Sequence, residues 1–486
     1  MNQIKFTRES VGEILVLPIA KDGDRVRVQS SDSKIDVKSI EKVLAKIGAS
    51  AEVDEVIKIP LPDGKIIVAT GLGAIASNYD AELLRRAAGS AARSLNGEKS
   101  ATFSFPVKSS SHLSAVAEGA ALGAYVFTAF KGNTKKDLKP ALDQIVIQSN
   151  LIDSLNTKDI AKRTEVIAKY TFLIRDLINT PPSHLTPAIF ADQMKKLATS
   201  LKLNVEILEE KALKSKGYGG ITAVGQGSAN PPRLLRISYK PKSAKKHFAL
   251  VGKGITFDTG GLALKPANGM EAMKCDMGGA AAVIATVLAA AELKLNVGID
   301  AWAPMAENMV SDTATRPSDI IKIYGGKTVE VLNPDAEGRL ILADALMRAQ
   351  EFNKKLDGII DVATLTGAQV VALGSRTSAV MTNNEELAEQ FLISAKAAGE
   401  AFWPMPLPEE LRASLDSPVA DIANIGERMG GMLVAGLFLK EFVSNPWLHL
   451  DIAGPAFNEG KAHGYTPVGG TGVSLRSLIS LFSSME

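Results

Sequence analysis

Phe248-Ala-Leu-Val-Gly-Lys-Gly-Ile-Thr-Phe-Asp-Thr-Gly-Gly261 joins four apolar residues to a glycine-rich segment that carries Lys253 and Asp258. An apolar run with no polar alternation is the pattern of a strand buried on both faces. Downstream the pattern repeats as helix Gly279 to Leu293, strand Val297 to Pro304, strand Val329 to Leu332, helix Arg339 to Gln350 and strand Gly358 to Val362. Helices Glu385 to Gly399 and Gly431 to Val443, strand Trp447 to Ile452 and helix Val473 to Phe482 complete it. Strands alternating with helices at this spacing predict a largely parallel sheet covered on both faces, with ligands bound at the carboxyl ends of its strands.

Upstream, strands Ile14 to Pro18, Glu55 to Ile59, Lys65 to Ala69, Ala101 to Phe105 and Gln144 to Gln148 alternate with helices Ala81 to Leu95 and Leu113 to Phe127, a second, smaller α/β unit. Lys158 to Ile178 reads as a connecting helix that stops at Asn179-Thr-Pro-Pro182. The expected division is therefore an N-terminal α/β domain over 1–155, a linking helix over 156–185 and a catalytic domain over 186–486. A chain of 486 residues exceeds what one core usually supports, which agrees with two domains.

The formal net charge of +2 gives no electrostatic case for nucleic acid or membranes. One cysteine, Cys275, excludes an intrachain disulfide and a cysteine zinc cluster, which fits a reducing compartment. Val11 to Pro18 lacks a basic leader and a cleavage site, and Gly278 to Ala291 reads as a buried helix too short for a bilayer, so a cytoplasmic protein with no membrane partner is expected.

The unusual polar residues fall just after strands. Lys253, Asp258, Lys265 and Asp276 sit among glycines, and Asn333-Pro-Asp335-Ala-Glu337-Gly-Arg339 follows the strand Val329 to Leu332, as though at a neighbouring strand end. Taken singly, Asp258 and Asp276 read as caps or solvated acids, and Asp335 and Glu337 as acids at a helix start. Together they offer four carboxylates, the number that balances two divalent ions when a neutral amine completes the set. Bridging carboxylates suit ions held ~3.5–4 Å apart. Lys253 is the candidate amine, since an adjacent cation favours its neutral form. The tail Gly325-Gly-Lys-Thr328 lacks the upstream glycine of a phosphate loop, the five histidines form no zinc-binding pair, and no Gly-x-Ser-x-Gly elbow is present.

Asn333-Pro-Asp-Ala-Glu-Gly-Arg-Leu340 resembles the Asn-Thr-Asp-Ala-Glu-Gly-Arg-Leu signature of the leucyl aminopeptidases, the cytosol aminopeptidases of peptidase family M17. Val251 to Gly261, Asp276 to Ala280, Ala363 to Ala368, Ser417 to Asp421 and His449 to Gly454 resemble further blocks of that family, in its order. The resemblance implies a macro-like N-terminal α/β domain and a C-terminal α/β/α catalytic domain with a mixed, largely parallel sheet. It implies an aminopeptidase that removes leucine and other apolar residues from short peptides with a free N-terminus. Two divalent ions per subunit, manganese or zinc, are implied: one on Lys253, Asp258, Asp276 and Glu337, the other on Asp258, Asp335 and Glu337. A bridging water or hydroxide would attack the scissile carbonyl, and the substrate amine would bind one ion. Lys265 is implied to stabilise the oxyanion, and Arg339 to hold a bicarbonate general base. Met273, Thr364, Leu365 and Gly367 are implied to contact the first residue of the substrate. A homohexamer built from two trimers is implied as well.

Two departures stand out. Pro334 replaces the usual threonine, removing a backbone donor while leaving both ligands in register. Ala456 stands where some members place methionine, so a wider first pocket is expected. The rival readings are a DNA-binding regulator on the same hexameric scaffold, since some bacterial relatives bind DNA, and a nucleotide site at the turn Thr70-Gly-Leu-Gly73. The run Lys242, Lys245 and Lys246 reads as a solvated turn.

Overall fold

The computed structural model describes residues 3–30, 32 and 35–485. Its backbone divides into two compact units, 1–172 with 459–468 and 173–458 with 469–486. The helix Thr157–Asn179 runs from the first into the second.

In the first unit a seven-stranded sheet runs in the order Gln3–Thr7, Gln144–Gln148, Ser100–Ser104, Ile14–Asp22, Ile66–Ala74, Val56–Pro60, with Arg25–Val28 beside Ile14–Asp22. The first five strands of that order pair in parallel. The helices Ala81–Arg93 and Ser110–Gly123 cover it, and their alanines and leucines are almost all buried. Thr70 to Gly73 falls inside the strand Ile66–Ala74 and not in a turn. A Cβ on Gly71 would stand 1.8 Å from the Glu52 carbonyl oxygen, so the space a nucleotide phosphate would need is filled by the chain's own backbone.

The second unit holds a nine-stranded mixed sheet whose parallel centre is Trp447–Asp451, Gly358–Ala363, His247–Gly252 and Gly298–Asn308. Antiparallel strands extend it at both sides: Ser378–Thr382 beside Trp447–Asp451, and Arg233–Tyr239 with Asn204–Glu209 beyond Gly298–Asn308. The expected mixed, largely parallel architecture is therefore present. Central strands buried along their whole length explain the continuous apolar runs in the sequence.

The helix Gly278–Leu293 is almost entirely buried. With the 3₁₀ turn before it the segment Met270–Leu293 spans 24 residues, long and apolar enough to cross a membrane by length and composition, which corrects the expectation that it is too short. Its most apolar 18-residue window is 83% buried inside the protein, as in a core helix.

Two further differences bear on the site. The strand Thr328–Val331 belongs to a separate three-stranded sheet with Asp319–Lys322 and Ile422–Ala423, so the segment after it does not leave a neighbouring strand end of the main sheet. Gly252-Lys-Gly254 does not open a loop after its strand either. It is a one-residue interruption after which the chain resumes as the strand Gly254–Asp258, with Asp258 as its last residue.

This interruption is where the core helix meets the sheet. The Lys253 amide donates to the Val362 carbonyl at 3.0 Å, and the Ala280 amide donates to the Lys253 carbonyl at 2.8 Å. Such an approach requires glycine on both sides: a Cβ on Gly279 would lie 2.0 Å from Val362 O, and one on Gly252 would lie 2.4 Å from Gly279 O. Gly279→Ala is expected to destabilise the protein by about 2–3 kcal/mol through overpacking. Gly431→Ala, at the start of the helix Gly431–Lys440 where an added Cβ would meet nothing closer than Ala368 Cβ at 3.8 Å, should stay within about 0.5 kcal/mol of the parent. Chemical denaturation of the two variants side by side checks this.

Candidate metal centre

The strand Gly254–Asp258 ends on Asp258, the 3₁₀ turn Met270–Cys275 is capped by Asp276, and Glu337 immediately precedes the helix Gly338–Phe352. Three elements thus deliver three buried carboxylates to one place, and Asp335 joins them half-buried. Oxygen atoms of Asp258, Asp335 and Glu337 all lie within 4.8 Å of one another.

Two lysines close the cluster. Lys253 Nζ lies 2.8 Å from Asp276 Oδ1 and 2.8 Å from Glu337 Oε1, and donates to the Thr364 carbonyl at 2.9 Å. Lys265 Nζ lies 2.9 Å from Asp258 Oδ2 and 2.5 Å from Asp335 Oδ1. Lys253 is buried, whereas Lys265 keeps about a quarter of its side chain exposed.

Burial dominates the electrostatics. It pushes the Asp276 carboxyl well above the usual carboxylate range, with Glu337 and Asp258 adding to the rise and Lys253 opposing it. Burial likewise raises Glu337 and Asp335, each reinforced by Asp258. For Lys253 burial acts downward, but Asp276, Glu337 and Asp258 outweigh it and hold the ammonium form. Lys265 is held charged in the same way by Asp258 and Glu337.

The charge count is unbalanced. With all four carboxylates ionised, two ammonium groups leave two negative charges unpaired in a desolvated volume, which is why burial raises the proton affinity of Asp276, Glu337 and Asp335. Asp276 Oδ2 and Glu337 Oε2 are buried and accept no hydrogen bond. Unpartnered carboxylate oxygens converging with an amine form a donor set that fits hard divalent cations.

A layer of amides and hydroxyls orients these groups, and two of its members, Asn308 and Asn424, were not singled out from the sequence. Asn308, at the end of Gly298–Asn308, donates from Nδ2 to Asp258 Oδ1 at 2.8 Å and to the Pro334 carbonyl at 3.2 Å. Asn424 accepts from the Leu332 and Asn333 amides at 2.8 and 3.2 Å and donates to the Asn333 carbonyl at 2.6 Å. The Thr364 hydroxyl donates to Asp276 Oδ1 at 2.7 Å. Asn308 closes a strand that already carries Asp300 and Glu307, so composition alone gave no signal for it.

Arg339 is buried on the first turn of its helix, donating from Nη1 to the Asn424 carbonyl at 2.7 Å, while Nε has no partner. Burial pushes its guanidinium down to about 10, against the pull of Glu337 and Asp451. Thr364 touches the cluster directly, Leu365 and Met273 are half-buried, and Gly367 borders open space. Ala456 is fully buried: a Cβ on Gly278 would lie 3.5 Å from Ala456 Cβ and Ile178 Cδ1 and 3.7 Å from Thr364 Cγ2. Pro334 leaves the acids in register, because Asn333 Oδ1 accepts from the Asp335 amide at 2.9 Å.

Comparison with known proteins places this geometry in a lineage. The profile of the cytosol aminopeptidase family, catalytic domain, matches residues 172–479, and that of its N-terminal domain matches residues 16–134. A protein of Streptomyces avermitilis named "Probable cytosol aminopeptidase" is 52% identical over 453 residues, covering 90% of this chain and 88% of its own. One of the same name from Rhodococcus opacus is 48% identical over 487 residues, 97% and 95% of the two chains. Among solved structures, the bottromycin maturation enzyme BotP in complex with Mn superposes with a TM-score of 0.86 at 34% identity, covering 98% of this chain and all of that one. The chain belongs to the cytosol aminopeptidase family, M17, and is a metallo-exopeptidase.

Proposed function

We propose that the protein removes leucine and other apolar residues from the N-termini of short peptides, using two divalent ions held by this cluster. Lys253, Asp258, Asp276 and Glu337 would hold one ion, and Asp258, Asp335 and Glu337 the other. The observation that carries this reading is the convergence of Asp258, Asp335 and Glu337 within 4.8 Å beside two buried carboxylate oxygens with no partner. When bound, such a pair polarises the scissile carbonyl and activates water. The manganese complex of the related BotP favours manganese as one of the metals, with zinc as the alternative.

The chain's own groups do the rest. Lys265, tethered between Asp258 and Asp335 and partly exposed, carries a fixed positive charge suited to the oxyanion that forms on the attacked carbonyl. Arg339, buried with an unpaired Nε, would hold a bicarbonate as general base, which fits a site whose ligand set contains no histidine. Met273, Thr364, Leu365 and Gly367 would contact the first residue of the substrate. Relatives named for the cytosol support a cytoplasmic location. A homohexamer belongs to the same reading, and the exposed apolar side chains of Leu264, Val371 and Met429 suit burial in such an assembly.

The test is hydrolysis of leucine p-nitroanilide beside its N-acetylated form. Cleavage of the free amine alone is expected, abolished by chelation and restored by manganese or zinc. Glu337→Ala should lose bound metal, measured by elemental analysis, together with activity. Lys265→Ala should keep its metal and lose about 10²–10³-fold in kcat. A metal-loaded protein that cleaves neither substrate, across varied side chains, would overturn the reading.

Arg339→Ala is expected to lower kcat by about 10²–10⁴-fold, the contribution of a positioned base, with KM and metal content near the parent values. Steady-state kinetics at controlled bicarbonate concentration reads this out. Unchanged kcat would remove Arg339 from the mechanism.

A further inference from the structure

The segment Thr364–Gly367 is tied at its start to the metal cluster, through Lys253 Nζ on the Thr364 carbonyl and the Thr364 hydroxyl on Asp276. Its continuation is tied to a different carboxylate. Asp451, fully buried at the end of the strand Trp447–Asp451, accepts from the Leu365 amide at 3.1 Å on Oδ1 and from the Thr366 hydroxyl at 2.8 Å on Oδ2. The same Oδ1 accepts from the Ala453 amide at 3.2 Å.

One carboxylate therefore holds two separate backbones. Leu365 belongs to the segment that touches the cluster, and Ala453 opens the turn that carries Ala456. Thr364 and Ala456, one from each segment, both pack at Gly278, where an added Cβ would lie 3.7 Å from Thr364 Cγ2 and 3.5 Å from Ala456 Cβ. Gln369 makes a parallel tie: its amide donates to Thr366 Oγ1 at 3.1 Å, and its Oε1 accepts from the Gly454 amide at 2.8 Å. Moving the two segments apart would break hydrogen bonds to a buried carboxylate and leave its oxygens unsatisfied.

We propose that Asp451 is a positioning residue that sets the width of the first side-chain pocket, and through it the preference among N-terminal residues. The proposal rests on the aminopeptidase reading above. Asp451 acts through the backbones of Leu365 and Ala453 and not on the reacting atoms. A shift of the order of 1 Å in a pocket wall is enough to change turnover about a hundredfold.

The test compares kcat/KM for leucine, alanine and phenylalanine p-nitroanilides in the metal-loaded parent, Asp451→Ala, Asp451→Asn and Thr366→Val, with metal content measured for each. Asp451→Ala is expected to raise KM for leucine about tenfold and to flatten the leucine-to-alanine ratio, with metal retained. Asp451→Asn keeps an oxygen for both amides and should recover most of the preference. Thr366→Val removes one tie and should move the ratio the same way, by less; it carries the test if Asp451→Ala does not fold. Unchanged KM and ratios in Asp451→Ala, or in Thr366→Val where the former is unfolded, would overturn the proposal. So would an Asp451→Asn variant as impaired as Asp451→Ala, since the charge and not the tie would then matter. Failure of the parent to cleave any substrate would instead overturn the aminopeptidase reading itself.

Discussion

Mutual repulsion among Asp258, Asp276, Asp335 and Glu337 is the constraint around which the second unit is arranged. Burial raises the proton affinity of Asp276 and Glu337, their carboxylate neighbours add to the rise, and the fold opposes this by threading Lys253 and Lys265 into the cluster. Lys253 reaches its place only because the sheet is interrupted for a single residue where the core helix abuts it. Gly252 and Gly279 make that approach possible, so packing geometry and charge balance are one requirement seen from two sides. Two ammonium groups offset half of the carboxylate charge.

Much of this was legible in the sequence because the site residues are of unusual type for their surroundings. Acids and amines directly after apolar strands, with glycines on either side, are costly to bury, and that cost makes them informative. The parallel centre of the sheet was legible for the complementary reason, since strands buried on both faces leave long apolar runs. The flanking antiparallel strands Asn204–Glu209, Arg233–Tyr239 and Ser378–Thr382 went unassigned. Asn204–Glu209 and Arg233–Tyr239 mix charged with apolar residues, and the apolar part of Ser378–Thr382 is only three residues long.

The origin of the signature segment was misplaced for a different reason. Thr328–Val331 has the composition of a strand, but composition does not say which sheet a strand joins. Its partners, Asp319–Lys322 and Ile422–Ala423, are short, and the latter is brought near by a long excursion of the chain. The hydrogen bonds of Asn424 across that excursion, to Leu332 and Asn333, are what make the small sheet a platform for Asp335 and Glu337. Asparagine in a loop is ordinary in any sequence, so only the fold reveals what Asn424 holds.

Pro334 shows how far the site depends on such remote ties. Proline at this position has no amide to donate, yet the segment does not need one: its carbonyl accepts from Asn308, and the flanking Asn333 is clamped on both its amide and its carbonyl by Asn424. Asn308 also holds Asp258, so one side chain sets the distance between the strand end and the signature segment. The register of the acids is thus held from outside the segment, by Asn308 at a strand end and by Asn424 just after Ile422–Ala423, and from within it by the Asn333 side chain on the Asp335 amide. A fixed φ at position 334 is tolerated because none of these ties needs an amide there.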